Sequence, residues 1–163
     1  MNTDLVQLRK QAQAKRNENQ KFFERLKKQR PNDLDQTVHN LHDHAFKKID
    51  CLSCANCCKT TGPLFTQRDI KVLSKHLKTT PQQFIDKYLR IDEDNDYVLQ
   101  QVPCTFLGPD NYCSVYDYRP QACREYPHTN QSKMHTIFKE TLNNTEVCPA
   151  VFQIVERLKQ IYK

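Results

Sequence analysis

Four of the chain's eight cysteines fall within eight consecutive residues, CLSCANCC at 51–58. No other feature restricts the fold as much. A dense thiol run either closes disulfides or gathers around metal, and both tie loops to one another. The remaining four, Cys104, Cys113, Cys123 and Cys148, are spread through the second half of the chain. The N-terminal segment MNTDLVQLRKQAQAKRN has no apolar run of the length a signal peptide needs, and no stretch approaches a membrane span. The expectation is a cytoplasmic protein with no membrane contact. In that compartment clustered cysteines bind metal or do redox chemistry rather than form disulfides. Composition makes a staple useful, because Leu, Ile, Val and Phe supply only 38 of 163 residues. That fraction is close to the level below which chains stay disordered.

Spacing narrows the chemistry. Cys51-x2-Cys54 and Cys54-x2-Cys57 are the short chelating turns in which two thiolates converge while backbone N–H groups point at sulfur. Cys58 breaks the pattern. Adjacent side chains diverge, so Cys57 and Cys58 are awkward ligands for one tetrahedral ion. They fit two different centres, or one ligand beside a reactive or packed thiol. Eight thiols allow two four-thiolate sites or one larger cluster with spare cysteines. The C-x2-C-x2-C run with a remote Cys148-Pro149 has the local form of a bacterial ferredoxin ligand set, although there the run continues x3-C-P. An isolated cysteine is commonly a small buried apolar residue. Four in eight residues, with four more in a polar chain, is a different pattern.

Elsewhere the patterning is helical. Leu5, Leu8, Ala12, Asn19, Phe22 and Leu26 form a stripe that Lys15 interrupts and Pro31 ends. Leu34, Val38, Leu41, Ala45 and Ile49 make a second stripe between about 33 and 48. Thr66 with Asp69, and Thr80 with Pro81, read as helix starts. Ile70, Leu73 and Leu77 face inward from the first of these helices, and Phe84, Ile85, Tyr88 and Leu89 from the second. Tyr97–Val102 reads as a short strand and 103–127 as proline-rich loop. The segment 134–141 fits strand or helix. Pro149 opens a last helix with Val151, Phe152, Val155, Leu158 and Ile161 on its apolar side. The predicted fold is mainly α, with irregular metal-stapled loops and at most a small β element. It divides into a basic N-terminal extension of two helices over 1–48 and a cysteine-cluster metal-binding domain over 49–163.

The run CLSCANCC, followed by PCTFL at 103–107, YCSVYDYRPQACREYP at 112–127 and CP at 148–149, resembles the YkgJ-type cysteine-cluster family. That family is described as a zinc- or iron-chelating domain and is related to the flagellin lysine N-methylase group. The resemblance covers roughly residues 50–152. It implies metal binding by Cys51, Cys54, Cys57, Cys58, Cys104, Cys113, Cys123 and Cys148, and it implies no particular reaction for a chain this short. Within the matched segment, Arg119 and Arg124 are candidates to offset thiolate charge and donate hydrogen bonds to sulfur. Tyr112, Tyr116, Tyr118 and Tyr126 are expected to pack inward. His39 and His42, three apart on a helix, can share a face as metal ligands do, although such pairs are commonly solvated. His128 is a candidate neighbour of the site.

The function that follows is metal binding, with an iron–sulfur cluster of the 4Fe-4S type or zinc held by up to eight cysteines. Serial x2 spacing and the Cys-Pro pair tilt the balance to iron–sulfur; a division into two sets of four thiolates favours zinc. One alternative is an iron–sulfur redox enzyme, or an accessory to protein lysine methylation. Only two glycines occur, with no glycine-rich turn to cradle a nucleotide or adenosylmethionine, and no catalytic constellation is complete. A thiol oxidoreductase using Cys57 or Cys58 is a further variant. The other alternative is a metal-stapled adaptor. Residues 1–30 carry nine Lys/Arg and three acids, which accounts for the whole net charge of +6. A charge run of this kind is usually a solvated face. A protein partner for the basic N-terminal helix therefore enters as an expectation, and nucleic acid does not.

Overall fold

The computed structural model describes residues 5–163. In chain order it contains α1 (Leu5–Ala14), α2 (Arg16–Gln29), α3 (Leu34–Phe46), α4 (Cys51–Cys54), α5 (Asn56–Thr60), β1 (Leu64–Phe65), α6 (Gln67–His76), α7 (Pro81–Tyr88), β2 (Leu89–Ile91), β3 (Tyr97–Leu99), α8 (Gln121–Glu125), α9 (Phe138–Asn144) and α10 (Pro149–Ile161). Turns of 3-10 helix lie at Tyr116–Tyr118 and Met134–Thr136. The fold is mainly α with a small antiparallel sheet, as the patterning predicts. No helix among the described residues is long and apolar enough to cross a membrane. The chain forms two compact units, Met1–Cys54 with Pro127–Lys163, and Ala55–Tyr126. Asp4, counted above in the arm's charge, lies outside the described residues.

The first unit is helical. Leu8 and Ala12 of α1, Phe22, Phe23 and Leu26 of α2, Val38 and Ala45 of α3, and Val151, Ile154, Val155 and Leu158 of α10 are all buried. Phe23 stacks on Phe138 of α9, with ring centres 4.6 Å apart. The arm's stripe is broken into two helices at Lys15, whose ammonium pairs with Glu156 of α10. Arg16 pairs with Glu146 at 2.8 Å, and Lys159 holds Glu18 at 2.6 Å and Glu156 at 2.7 Å. The segment 134–141 resolves as a 3-10 turn and the start of α9, not a strand. On α10, Ile154 joins the expected Val151, Val155 and Leu158 in the core, while Ile161 at the helix end stays 52% exposed. Asn19 is fully buried in the arm's stripe, and neither its amide nitrogen nor its oxygen has a hydrogen-bond partner in the structure.

In the second unit, β3 lies between β1 and β2, pairing Leu64 with Val98 and Arg90 with Val98. The strand is shorter than the expected Tyr97–Val102, because Gln100 turns its N–H to Tyr88 O. Phe65, Ile70, Leu73, Phe84, Leu89, Leu99, Phe106 and Val115 make the apolar cluster, with Cys104 and Cys113 packed against it. Both predicted helix starts carry reciprocal caps. Thr66 Oγ1 accepts from Asp69 N while Asp69 accepts from Thr66 N. Thr80 and Gln83 do the same, with Pro81 in the first turn.

Candidate metal centre

The second unit holds five cysteines, Cys57, Cys58, Cys104, Cys113 and Cys123. Cys58 sits in α5, a single turn started by the left-handed Ala55 (φ 48°). Its carbonyl accepts the N–H of Cys104 at 2.8 Å, which pins the two residues together. Cys104 opens a turn closed by Leu107 N–H on Cys104 O at 3.0 Å. From there the chain doubles back. Gly108 N–H bonds Tyr112 O and Ser114 N–H bonds Phe106 O, each at 2.8 Å, so Leu107 faces Cys113 in a bridge. A Cβ at Gly108 would lie 2.7 Å from Asp110 Oδ1 and 3.2 Å from Tyr112 O, so a larger residue would push the Asp110 carboxylate aside and crowd the reversal. Cys123 lies in α8, which starts at Pro120 and is tied to α6 through Gln121 N–H donating to Asp69 Oδ1 at 3.1 Å.

The electrostatics define the set. Burial pushes the Cys123 thiol up to about 12, and the charges of Cys58, Cys104 and Cys113 push the same way. Burial also raises Cys104, with Cys58 and Cys113 adding to it, and raises Cys113, with Cys58 adding to it. Cys58 is brought down to about 7, because Cys57, with its sulfur 4.0 Å away, hydrogen-bonds to it, while burial opposes and Lys59 assists. Ionising all four would pack like charges into a half-buried space. Arg119 is the local counterweight, and its charge favours the thiolates of Cys113 and Cys123. It lies 3.8 Å over the Tyr116 ring and donates to Tyr116 O at 2.7 Å. Arg124 instead donates to Arg119 O at 2.7 Å and so braces its neighbour.

The first unit carries the other group. Cys148, the residue before α10, is pushed up to about 11 by burial, and Cys51 and Cys54 raise it further. Cys51 and Cys54 bracket α4, whose turn is fastened by Cys54 N–H on Asp50 O at 3.1 Å and Leu52 N–H on Asp50 Oδ1 at 3.0 Å. Pro149 occupies the first turn of α10, where its missing N–H costs nothing. No disulfide joins any of the cysteines.

Among the described residues, no three Cys, His, Asp or Glu side chains are drawn closely enough together to hold a metal ion. The donor chemistry nevertheless fits one. Partly buried thiols that raise one another's pKa are relieved by a divalent cation or a cationic cluster, which takes the thiolate form and cancels its charge.

Several residues fall outside the cysteine groups. His39 and His42 do share a face of α3, and both are half-buried and hydrogen-bonded. His39 Nε2 donates to Gln131 O at 2.7 Å, and His42 Nδ1 lies 2.7 Å from the hydroxyl of the fully buried Thr129. Asp35, one turn earlier, accepts from Lys133 N at 2.6 Å and Met134 N at 2.9 Å. The histidines therefore hold a loop. His128 belongs to that loop, with Nδ1 2.7 Å from Gln131 Nε2. The tyrosines divide: Tyr112 is 49% and Tyr118 44% exposed, against the expectation of packing, because Tyr118 stacks on His76 at the surface. Sequence reasoning missed Asp69 as a tie to the Cys123 helix. Its only signal was the capping box, which already accounted for the residue.

The model of one protein family, "CxxCxxCC: Putative zinc- or iron-chelating domain", matches residues 50–149, a span that contains all eight cysteines. No curated protein and no solved structure matches the chain.

Proposed function

From the premise that the chain belongs to the CxxCxxCC family, we propose that it binds metal in two separate thiolate centres. One is built on Cys58, Cys104, Cys113 and Cys123, the other on Cys51, Cys54 and Cys148. Cys57 continues the x2 spacing of Cys51 and Cys54 and is the remaining candidate ligand. The observation that supports this reading is the grouping of mutual charge effects. Cys58 acts on Cys104, Cys113 and Cys123, whereas Cys148 responds to Cys51 and Cys54. In this reading Cys58 serves the first centre, and Cys57, whose sulfur lies 4.0 Å from that of Cys58, is left to either centre.

Zinc is the metal this grouping favours, since a closed tetrahedral thiolate site is what zinc takes in structural roles. Bound zinc would supply folding energy to a chain poor in aliphatic residues, on the order of 10–16 kcal/mol per site. Arg119 would lower the net negative charge of a tetrathiolate and hold it in a half-buried setting. An iron–sulfur cluster is the second reading, favoured by the serial x2 spacing and Cys148-Pro149. Metal analysis and absorbance on protein purified without air decide between them. Two zinc ions per chain and no visible band support the first reading. A broad visible band with iron and sulfide supports the second. Well-folded protein holding neither metal would refute both.

A further inference from the structure

Two thiols stand side by side on α5. Cys57 and Cys58 take consecutive positions of this five-residue helix, and both are half-buried, within reach of small solutes. Neighbouring positions of a helix point about 100° apart. The two sulfurs nevertheless approach to 4.0 Å. A disulfide spans about 2.05 Å, so about 2 Å of further approach would join them. The backbone that carries the pair is well fastened. Lys59 N–H donates to Ala55 O at 3.1 Å and Thr61 N–H to Cys57 O at 2.9 Å. The hydroxyls of Thr60 and Thr61 add bonds to Asn56 O at 2.7 Å and Cys57 O at 2.8 Å.

We propose that Cys57 and Cys58 form a reversible two-electron redox pair, which hydroperoxides close into a disulfide. One thiol takes an oxygen atom from the hydroperoxide and becomes a sulfenic acid. The O–O bond breaks, and water or an alcohol leaves. The second thiol then attacks that sulfur, the S–S bond forms, and water leaves. In sum the two thiols lose two electrons and two protons, and one hydroperoxide is reduced. Reversibility follows from adjacency. Consecutive Cα atoms are about 3.8 Å apart, short of the roughly 4.4–6.8 Å that disulfides ordinarily span. Closing so small a ring strains it, and strained disulfides are the ones that cellular thiols reopen. The bond also takes up the sulfur of Cys58 and disturbs the residue whose carbonyl receives Cys104 N–H at 2.8 Å. Resting on the two-centre reading above, oxidation therefore opens the centre that Cys58 serves.

The test treats the full chain, metal-free and metal-loaded, with hydrogen peroxide and maps its thiols by alkylation and mass spectrometry. Trypsin leaves Cys51, Cys54, Cys57 and Cys58 on one peptide, 49–59, so fragmentation has to locate the bond. In the metal-free chain the expected main product has Cys51 and Cys54 alkylated and Cys57 linked to Cys58, and glutathione reopens it. Cys57→Ser, which lacks the second thiol, should carry at least tenfold more sulfenic or sulfinic acid on Cys58 at the same peroxide dose. Linkage of Cys57 or Cys58 to any other cysteine as the main product overturns the proposal, as does equal over-oxidation of Cys58 in variant and wild type. The wild-type map needs no substitution, so it decides alone if the variant fails to fold. In the loaded protein metal should be released in step with the disulfide. Closure with all metal retained supports the redox pair and instead refutes the placing of Cys58 in a metal centre.

Discussion

Replacing Cys58 by serine removes one thiolate from the group that Cys104, Cys113 and Cys123 share, and beyond that group it removes only the sulfur contact to Cys57. If a zinc site contributes on the order of 10–16 kcal/mol through four ligands, each thiolate is worth about 2.5–4 kcal/mol. Losing one weakens that site roughly 100- to 1,000-fold, at 1.4 kcal/mol per tenfold. Against a chelator of intermediate strength, the substituted protein should therefore lose half its metal and keep the other half at wild-type affinity. Cys148→Ser should lose the complementary half, and the double variant should lose all of it. Chelator competition followed by metal analysis reads both numbers. If either single substitution empties the protein completely, the thiols form one cluster and the division is wrong. The same pair of variants places Cys57. A Cys57→Ser protein that behaves like Cys148→Ser when combined with Cys58→Ser puts it with Cys51, Cys54 and Cys148.

Asp69→Ala deletes the carboxylate that accepts from Thr66 N–H and from Gln121 N–H, leaves the Thr66 hydroxyl cap in place, and should cost about 2–3 kcal/mol in chemical denaturation. Asp69→Asn, which keeps one of the two acceptor oxygens, should cost less; equal losses would mean that one remaining acceptor contributes nothing. Asn19→Leu should stabilise the chain by about 1–3 kcal/mol by removing two buried amide atoms without partners, and a lower Tm would show that something does satisfy them. Metal binding must displace protons from Cys123 and Cys148, whose thiols sit near 12 and 11, so affinity should rise with pH and calorimetry in two buffers should show proton release at pH 7. Without metal the sign is opposite. Folded, the Cys123 and Cys148 thiols hold their protons above the ordinary thiol value of 9.0 while unfolded ones give them up, so the metal-free chain should lose stability between about pH 9 and 12. Stability that climbs over that range would refute it.

The helices were legible where a local device announces them. Thr66 with Asp69, and Thr80 with Pro81, name their own helices because capping is complete within four residues. Pro149 does the same for α10. The two- and three-residue strands Leu64–Phe65 and Leu89–Ile91 were not legible, since so few residues show no period. Leu89 looked like the last apolar position of α7 and became the first of β2. For the site, spacing marks which residues carry thiols and raises the question about Cys57 and Cys58, but it does not sort distant cysteines. That sorting comes from Cys104 N–H meeting Cys58 O and from the reversal at Gly108, both set by tertiary packing. His39 and His42 show the same limit, because the spacing that suits a ligand pair also suits two hydrogen bonds to a loop.

The first unit is assembled from both ends of the chain, with the second written into its middle. On the two-centre reading the Cys58 group is therefore complete in the emerging chain once Cys123 is out, whereas the other group, although Cys51 and Cys54 emerge first, waits for Cys148. Metal supplied during translation would find a full set of ligands in the inner group first. Chains emerging into scarce metal would fill in that order, leaving the late group as the one that reports shortage.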